Sequence, residues 1–210
     1  VEIQNALAIL AFGFINGISS KIGPSREAFH KAFLSEGGKM MLKKRVTLLH
    51  CTTEYPAPMN EINLNAMLTM SNIFDLKVGY SDHSKGIAVP TAATALGATL
   101  IEKHFTLDKS LSGPDHSTSL EPNELKTMVD AIRTVEVAMG SGKKQPMPSE
   151  LKNRDIVRKS LVAGKYIEEG EVFTEENIAI KRPGNGVSPM SYWDYLGQIS
   201  TKHIYPDQPL

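Results

Sequence analysis

Residues 77–104 read KVGYSDHSKGIAVPTAATALGATLIEKH, and the rhythm of this stretch decides the fold class. Lys77-Val-Gly-Tyr80 is a short apolar run that ends in Ser81-Asp-His83. Ala88 to Leu96 is Ala-rich and helical, and Gly97 ends it. Thr99-Leu-Ile101 is then a further strand leading into Glu102-Lys-His104. Apolar strands alternating with helices predict parallel β/α units with the sheet buried on both faces.

The same rhythm extends upstream. Val46-Thr-Leu-Leu-His50 is rich in strand formers, and Asn63 to Phe74 reads as a helix between it and the strand at Lys77. Earlier still, Ile3, Leu7, Leu10 and Phe14 recur at helical spacing, and Gly17 to Gly23 is a polar connector. A second helix is predicted from Ser25, a plausible N-cap, through Phe29, Ala32 and Phe33, broken by Gly37-Gly38. Downstream, Leu125, Met128, Val129, Ile132, Val135 and Met139 mark a long helix, with Pro122 near its first turn and Gly140 past its end. Ser141 to Pro148 (SGKKQPMP) has linker composition. Beyond it come short strands at Lys159–Ala163, Gly170–Phe173 and Ile178–Ile180, then the turn sequence Arg182-Pro-Gly-Asn-Gly186. The expected organisation is an α/β domain over 1–140, a linker over 141–150 and a small β-rich domain over 151–210.

Composition excludes several classes. With 23 basic and 23 acidic residues among 210 the net charge is zero, and no run of one sign suggests a nucleic-acid or polybasic membrane surface. The longest apolar stretch, Ala6 to Ile15, is too short to span a bilayer and lacks the features of a signal peptide. A single cysteine, Cys51, rules out an internal disulfide framework and suits a reducing cytoplasm. The chain starts at Val1 inside a helical pattern, so it is expected to be part of a longer protein.

Reactive groups in parallel β/α folds collect at the carboxyl ends of strands. Three strands here end in candidate side chains: His50-Cys-Thr-Thr-Glu-Tyr55, Ser81-Asp-His83 and Glu102-Lys-His104. Neutral imidazoles are good ligands for Mn, Fe or Zn, with carboxylates or substrate oxygens completing the shell, so His83 and His104 form a candidate metal pair. Two histidines alone do not fix the metal. Gly113-Pro-Asp115-His116 and Arg182-Pro-Gly-Asn-Gly186 each have turn chemistry of their own, and Cys51 reads as a small packed residue. Lys103 offers an alternative Schiff-base chemistry on pyruvate, although strand alternation should point it away from its neighbours' face.

Five ordered blocks then carry a resemblance: HCTTEYPAP (50–58), GYSDHSKGI (79–87), IEKHFTLDKSLSGPDH (101–116), SELKNRDIVRKSLVA (149–163) and KRPGNGVSPM (181–190). Together they resemble the bacterial sialic acid (N-acetylneuraminate) synthase family, which includes legionaminic acid synthases. The resemblance covers nearly the whole chain from Val46 onward and is looser over residues 1–45. It implies a (β/α)8 barrel followed by a small antifreeze-like (SAF) domain. The three strands would be the carboxyl-terminal ones of a partial barrel, since a complete barrel needs about 250 residues.

The implied reaction condenses phosphoenolpyruvate with the aldehyde of N-acetylmannosamine or a 2,4-diacetamido analogue, giving a nine-carbon 2-keto acid and phosphate. It also implies Mn2+ or Mg2+ at His83 and His104. Glu102 would lie near the reacting pyruvyl carbons and Ser81 against phosphoenolpyruvate, with Thr53, Tyr55 and Asp115 on sugar-binding positions. Thr53 departs from the Asn that some members carry. Arg182 aligns with an arginine that reaches the sugar's N-acyl group in a domain-swapped homodimer. A non-catalytic sugar-binding or assembly module built on the antifreeze-like domain is the competing expectation. Because three strands leave unpaired edges, such a piece alone is expected to aggregate or dimerise unless further strands are supplied.

Overall fold

The chain opens on α1 (Glu2–Asn16), α2 (Arg26–Leu34) and α3 (Glu36–Arg45) in a computed structural model that describes residues 1–17 and 21–210. Residues 18–20, within the connector expected from Gly17 to Gly23, lie outside the described residues. Ser25 caps α2, accepting from the Ala28 amide at 3.2 Å. The break after α2 falls at Ser35 rather than at Gly37-Gly38. Ser35 Oγ donates to the Ala32 carbonyl at 2.8 Å and accepts from the Gly38 amide at 3.0 Å, so one side chain closes α2 and starts α3. Gly38 lies inside α3 because the helices meet closely there: a Cβ at this position would stand 1.9 Å from the Ala32 carbonyl oxygen. Leu7, Ala11, Ala32, Leu42 and Leu76 form the buried cluster beneath these helices.

β1 (Thr47–Cys51), α4 (Asn65–Phe74), β2 (Lys77–Asp82), α5 (Ala88–Ala95), β3 (Ile101–Lys103) and α6 (Pro122–Met139) follow. The strands are parallel, in the order β1-β2-β3, with helical crossovers between them. Thr47 pairs with Lys77 and Cys51 with Ser81, while Ser81 pairs with Glu102 and Asp82 with Lys103. This register sorts the side chains into two sets. Leu48, Val78, Tyr80 and Ile101 face the helices, packing with Ala57, Ile62, Met67 and Ala93. Each fully buried aliphatic side chain in such a layer contributes about 1.5–3 kcal/mol. Cys51, Ser81 and Glu102 line up on the other face. The expectation of burial on both faces holds for β2 but fails on that second face of its neighbours, where Cys51 and Glu102 are exposed. Pro122 starts α6, the Glu121 amide donates to the Glu124 carboxylate at 2.9 Å, and Gly140 ends the helix at φ 58°.

The chain divides into two units, Val1–Gly142 and Lys143–Leu210. The second begins with the short helical turns α7 (Pro148–Leu151) and α8 (Arg154–Val157) and pairs β4 (Ser160–Ala163) antiparallel with β5 (Ile178–Lys181). The strand expected at Gly170–Phe173 is instead a turn entering a single bridge, Val172 to Ile199, with Gly170 at φ 87°. Similar isolated bridges join Ile167 to Ile204 and Val162 to Pro209. Leu161, Ala163, Ile167, Phe173, Ile178 and Ile204 are the buried apolar centre. No helix among the described residues is long and apolar enough to cross a membrane.

Candidate active site

The carboxyl ends of β2 and β3 deliver His83 and His104 one residue beyond the last paired position of each strand, Asp82 with Lys103. Equivalent placement on neighbouring parallel strands brings the two rings to a centroid separation of 5.6 Å. Between them lies Tyr55, from the loop after β1. Its hydroxyl is 2.5 Å from His83 Nε2 and 2.6 Å from His104 Nε2. The Tyr55 ring stacks on His83 at 4.0 Å and 29°.

Hydrogen bonding fixes how the first ring is presented. His83 Nδ1 lies 2.6 Å from the Thr52 carbonyl, which can only accept, so Nδ1 carries the proton. In the neutral ring Nε2 therefore exposes its lone pair toward Tyr55. The His83 carbonyl in turn accepts from the Ala57 amide at 2.9 Å, tying the Tyr55 loop to the end of β2. On the far side of His104, Nδ1 faces the Asp115 carboxylate at 4.0 Å. Both Nε2 atoms are thus aimed at one place, held here by the Tyr55 hydroxyl, whose single proton can be donated to only one of them. Among the described residues no group of three or more His, Cys, Asp or Glu side chains is disposed to hold a metal ion, so the pair would supply two ligands and leave other positions to oxygen donors.

One rank behind the histidines, Ser81 Oγ donates to Glu102 Oε1 at 2.6 Å. Ser81 is buried, so this bond holds the exposed carboxylate in one orientation beside the imidazoles. Burial first, and then the neighbouring Cys51, Asp115 and Glu102, push the Tyr55 phenol above its ordinary pKa. Tyr55 is thus a neutral hydroxyl across the physiological range. Cys51 Sγ is 3.8 Å from His83 Nδ1 and is exposed rather than packed, against expectation, because its place in the strand alternation puts it on the open face.

The structure brings together Tyr55, Ser81, His83, Glu102, His104 and Asp115. Thr53 is exposed in the Tyr55 loop. Arg182 belongs to the second unit, where its Nε donates to the Val157 carbonyl at 2.8 Å. His50, one of the strand-end candidates, faces the helices instead: Nε2 meets the Ile62 carbonyl at 2.6 Å and the ring lies beside Tyr80. Its even position in β1, opposite Tyr80, dictates that side. Thr52 acts through its carbonyl, which no residue-type pattern reveals. The Lys103 ammonium bonds Asp82 on the helix side and is unavailable for imine chemistry at the histidines.

The NeuB family profile matches residues 2–144 and the SAF domain profile residues 158–210. The chain is 52% identical over 204 residues to the N,N'-diacetyllegionaminic acid synthase of Campylobacter jejuni, covering 97% of this chain and 58% of that protein. It is 42% identical over 159 residues to the human N-acetylneuraminate-9-phosphate synthase, covering 75% and 44%. A solved Chromobacterium violaceum protein named for spore coat polysaccharide biosynthesis superposes with a TM-score of 0.59 at 24% identity over 90% of this chain and 56% of its own, a likeness of fold alone. The chain spans about half the length of the curated relatives it matches. With a family match running through the strands that carry both histidines, and a second match over the unit that follows, the chain belongs to the NeuB family.

Proposed function

We propose that this chain supplies the histidine-bearing side of a sugar-acid synthase site, within a (β/α)8 barrel that the three parallel strands help to build. The reaction joins C3 of phosphoenolpyruvate to the aldehyde carbon of N-acetylmannosamine or a 2,4-diacetamido analogue. Water adds at C2, phosphate leaves, and a nine-carbon 2-keto acid results. The convergence of His83 and His104 Nε2 on one point carries this reading.

A divalent ion, Mn2+ or Mg2+, would be held by His83 and His104 and would supply a Lewis acid for the aldehyde oxygen. The chain's own groups do the rest. Glu102, held by Ser81, presents a fixed carboxylate to the reacting carbons, where it can take or return a proton. Tyr55, Thr53 and Asp115 line the side from which the sugar enters, and the neutral Tyr55 phenol can donate to a sugar oxygen. Arg182 of one copy serves the sugar's N-acyl group in the site of a second copy, in a domain-swapped homodimer.

The test is phosphate release by the intact protein given phosphoenolpyruvate, Mn2+ and each candidate aminosugar. Release that requires all three and falls at least about a hundredfold in His83→Ala or His104→Ala supports the reading. No phosphate above background with any such sugar overturns it.

A further inference from the structure

Lys103 stands between Glu102 and His104, and its side chain leaves by the opposite face. There its ammonium bonds Asp82 Oδ2 at 2.7 Å and also donates to the Ser84 carbonyl. The second carboxylate oxygen, Asp82 Oδ1, accepts from the Ser84 amide at 2.8 Å. Asp82 and Ser84 are the two chain neighbours of His83. The Lys103 and Asp82 side chains are 3% and 0% exposed, so both charges are withdrawn from water.

Burying an ion pair opposes folding, and two apolar side chains of similar volume would often join adjacent strands at least as well. What an apolar pair lacks is direction. Here two bonds from the Lys103 ammonium, to the Asp82 carboxylate and the Ser84 carbonyl, and a third from the Ser84 amide to Asp82 tie the neighbours of His83 to the residue that separates Glu102 from His104. The pairing of β2 with β3 ends at Asp82 and Lys103; beyond it the His83 and His104 carbonyls accept from the Ala57 and Leu120 amides, bonds that tie each histidine to another segment but not the two strand ends to each other. Carbonyl oxygen, carboxylate and ammonium together extend the fixed geometry one residue further.

We propose that Lys103 is a positioning residue for the His83–His104 pair, acting with Asp82 as a clamp behind the site. The assignment rests on the reading of that pair as a divalent-metal site. It also accounts for a lysine beside the reacting groups that does no covalent chemistry: its ammonium is spent on holding the turn that presents His83.

The experiment uses Mn2+ alone as probe. In the intact protein the pair Asp82→Asn with Lys103→Met removes both charges together, leaving neither unpaired, and free Mn2+ is followed by electron paramagnetic resonance. A cooperative melt near that of the parent, with Mn2+ bound about 10–100-fold more weakly, supports the clamp. Restoration of phosphate release at raised Mn2+, with kcat little changed, supports it as well. Should the double variant fail to fold, Lys103→Arg, which keeps a cation opposite Asp82 but changes the geometry of both contacts, is titrated by the same criterion. Parent-like Mn2+ affinity in a folded variant, with His83→Ala abolishing binding, overturns the clamp and leaves the metal reading standing. Absence of His83-dependent Mn2+ binding in the parent overturns both.

Discussion

Gly79 occupies the centre of β2, on the same face as Ser81 and His83, and replacing it with Ala tests how tightly the three strands must sit. An added Cβ would stand 2.5 Å from the Leu100 carbonyl oxygen and 2.6 Å from Leu49 Cδ2. The leucine tip can rotate away. The carbonyl cannot, because it accepts the Tyr80 amide at 2.9 Å and so belongs to the bonding between β2 and the approach to β3. Relieving the contact means moving one strand from the other by several tenths of an ångström, and overpacking of this kind costs about 1–3 kcal/mol. Against that, an Ala restricts the unfolded chain and returns about 0.4–1 kcal/mol. The net expectation is a loss of about 1–2 kcal/mol, or about 2–8 °C in Tm for a domain of this size. The displaced strands are those bearing His83 and His104, so Mn2+ affinity should fall in the same variant. Calorimetry with a parallel Mn2+ titration checks both. A raised Tm with unchanged affinity would refute the reasoning, since it would mean that the strands part without cost and that the histidine geometry does not depend on their spacing.

Two further outcomes follow from particular bonds. Asn177 is 1% exposed, with Oδ1 accepting from the Thr174 amide at 2.8 Å and Nδ2 donating to Glu171 and to the Val172 carbonyl. Asn177→Ala strands these partners and should destabilise the second unit by about 2–3 kcal/mol, read as faster hydrogen exchange at the Thr174 amide; parent-like protection would argue against it. At Glu124, the Lys109 ammonium and then the Glu121 amide hold the carboxyl below its ordinary value of 4.5. Because the folded pKa is the lower one, the stabilisation is present above the unfolded value and disappears as pH falls through the folded value. Glu124→Gln should therefore be less stable than the parent at neutral pH and should converge on it in acid; a difference independent of pH would count against the assignment.

How much of this was legible in the sequence depends on which interaction places each group. The β/α order was legible from apolar runs and helix signals, because burial of whole faces writes itself into composition. The convergence of His83 and His104 was legible from their equal position at two strand ends. The side taken by His50 was less so, for it turns on one residue of register against Tyr80 rather than on residue type. The break at Ser35 was hidden behind Gly37-Gly38, since a close approach to Ala32 and not a chain reversal demands glycine there. Deepest hidden are the bonds made through the backbone: the Thr52 and Ser84 carbonyls have no signature, yet one sets the His83 tautomer and the other anchors its turn. Lys103 shows the consequence. The sequence offers it as a nucleophile, and strand alternation places it on the far face beside Asp82. Only the bond to the Ser84 carbonyl shows that its ammonium reaches the turn that carries His83.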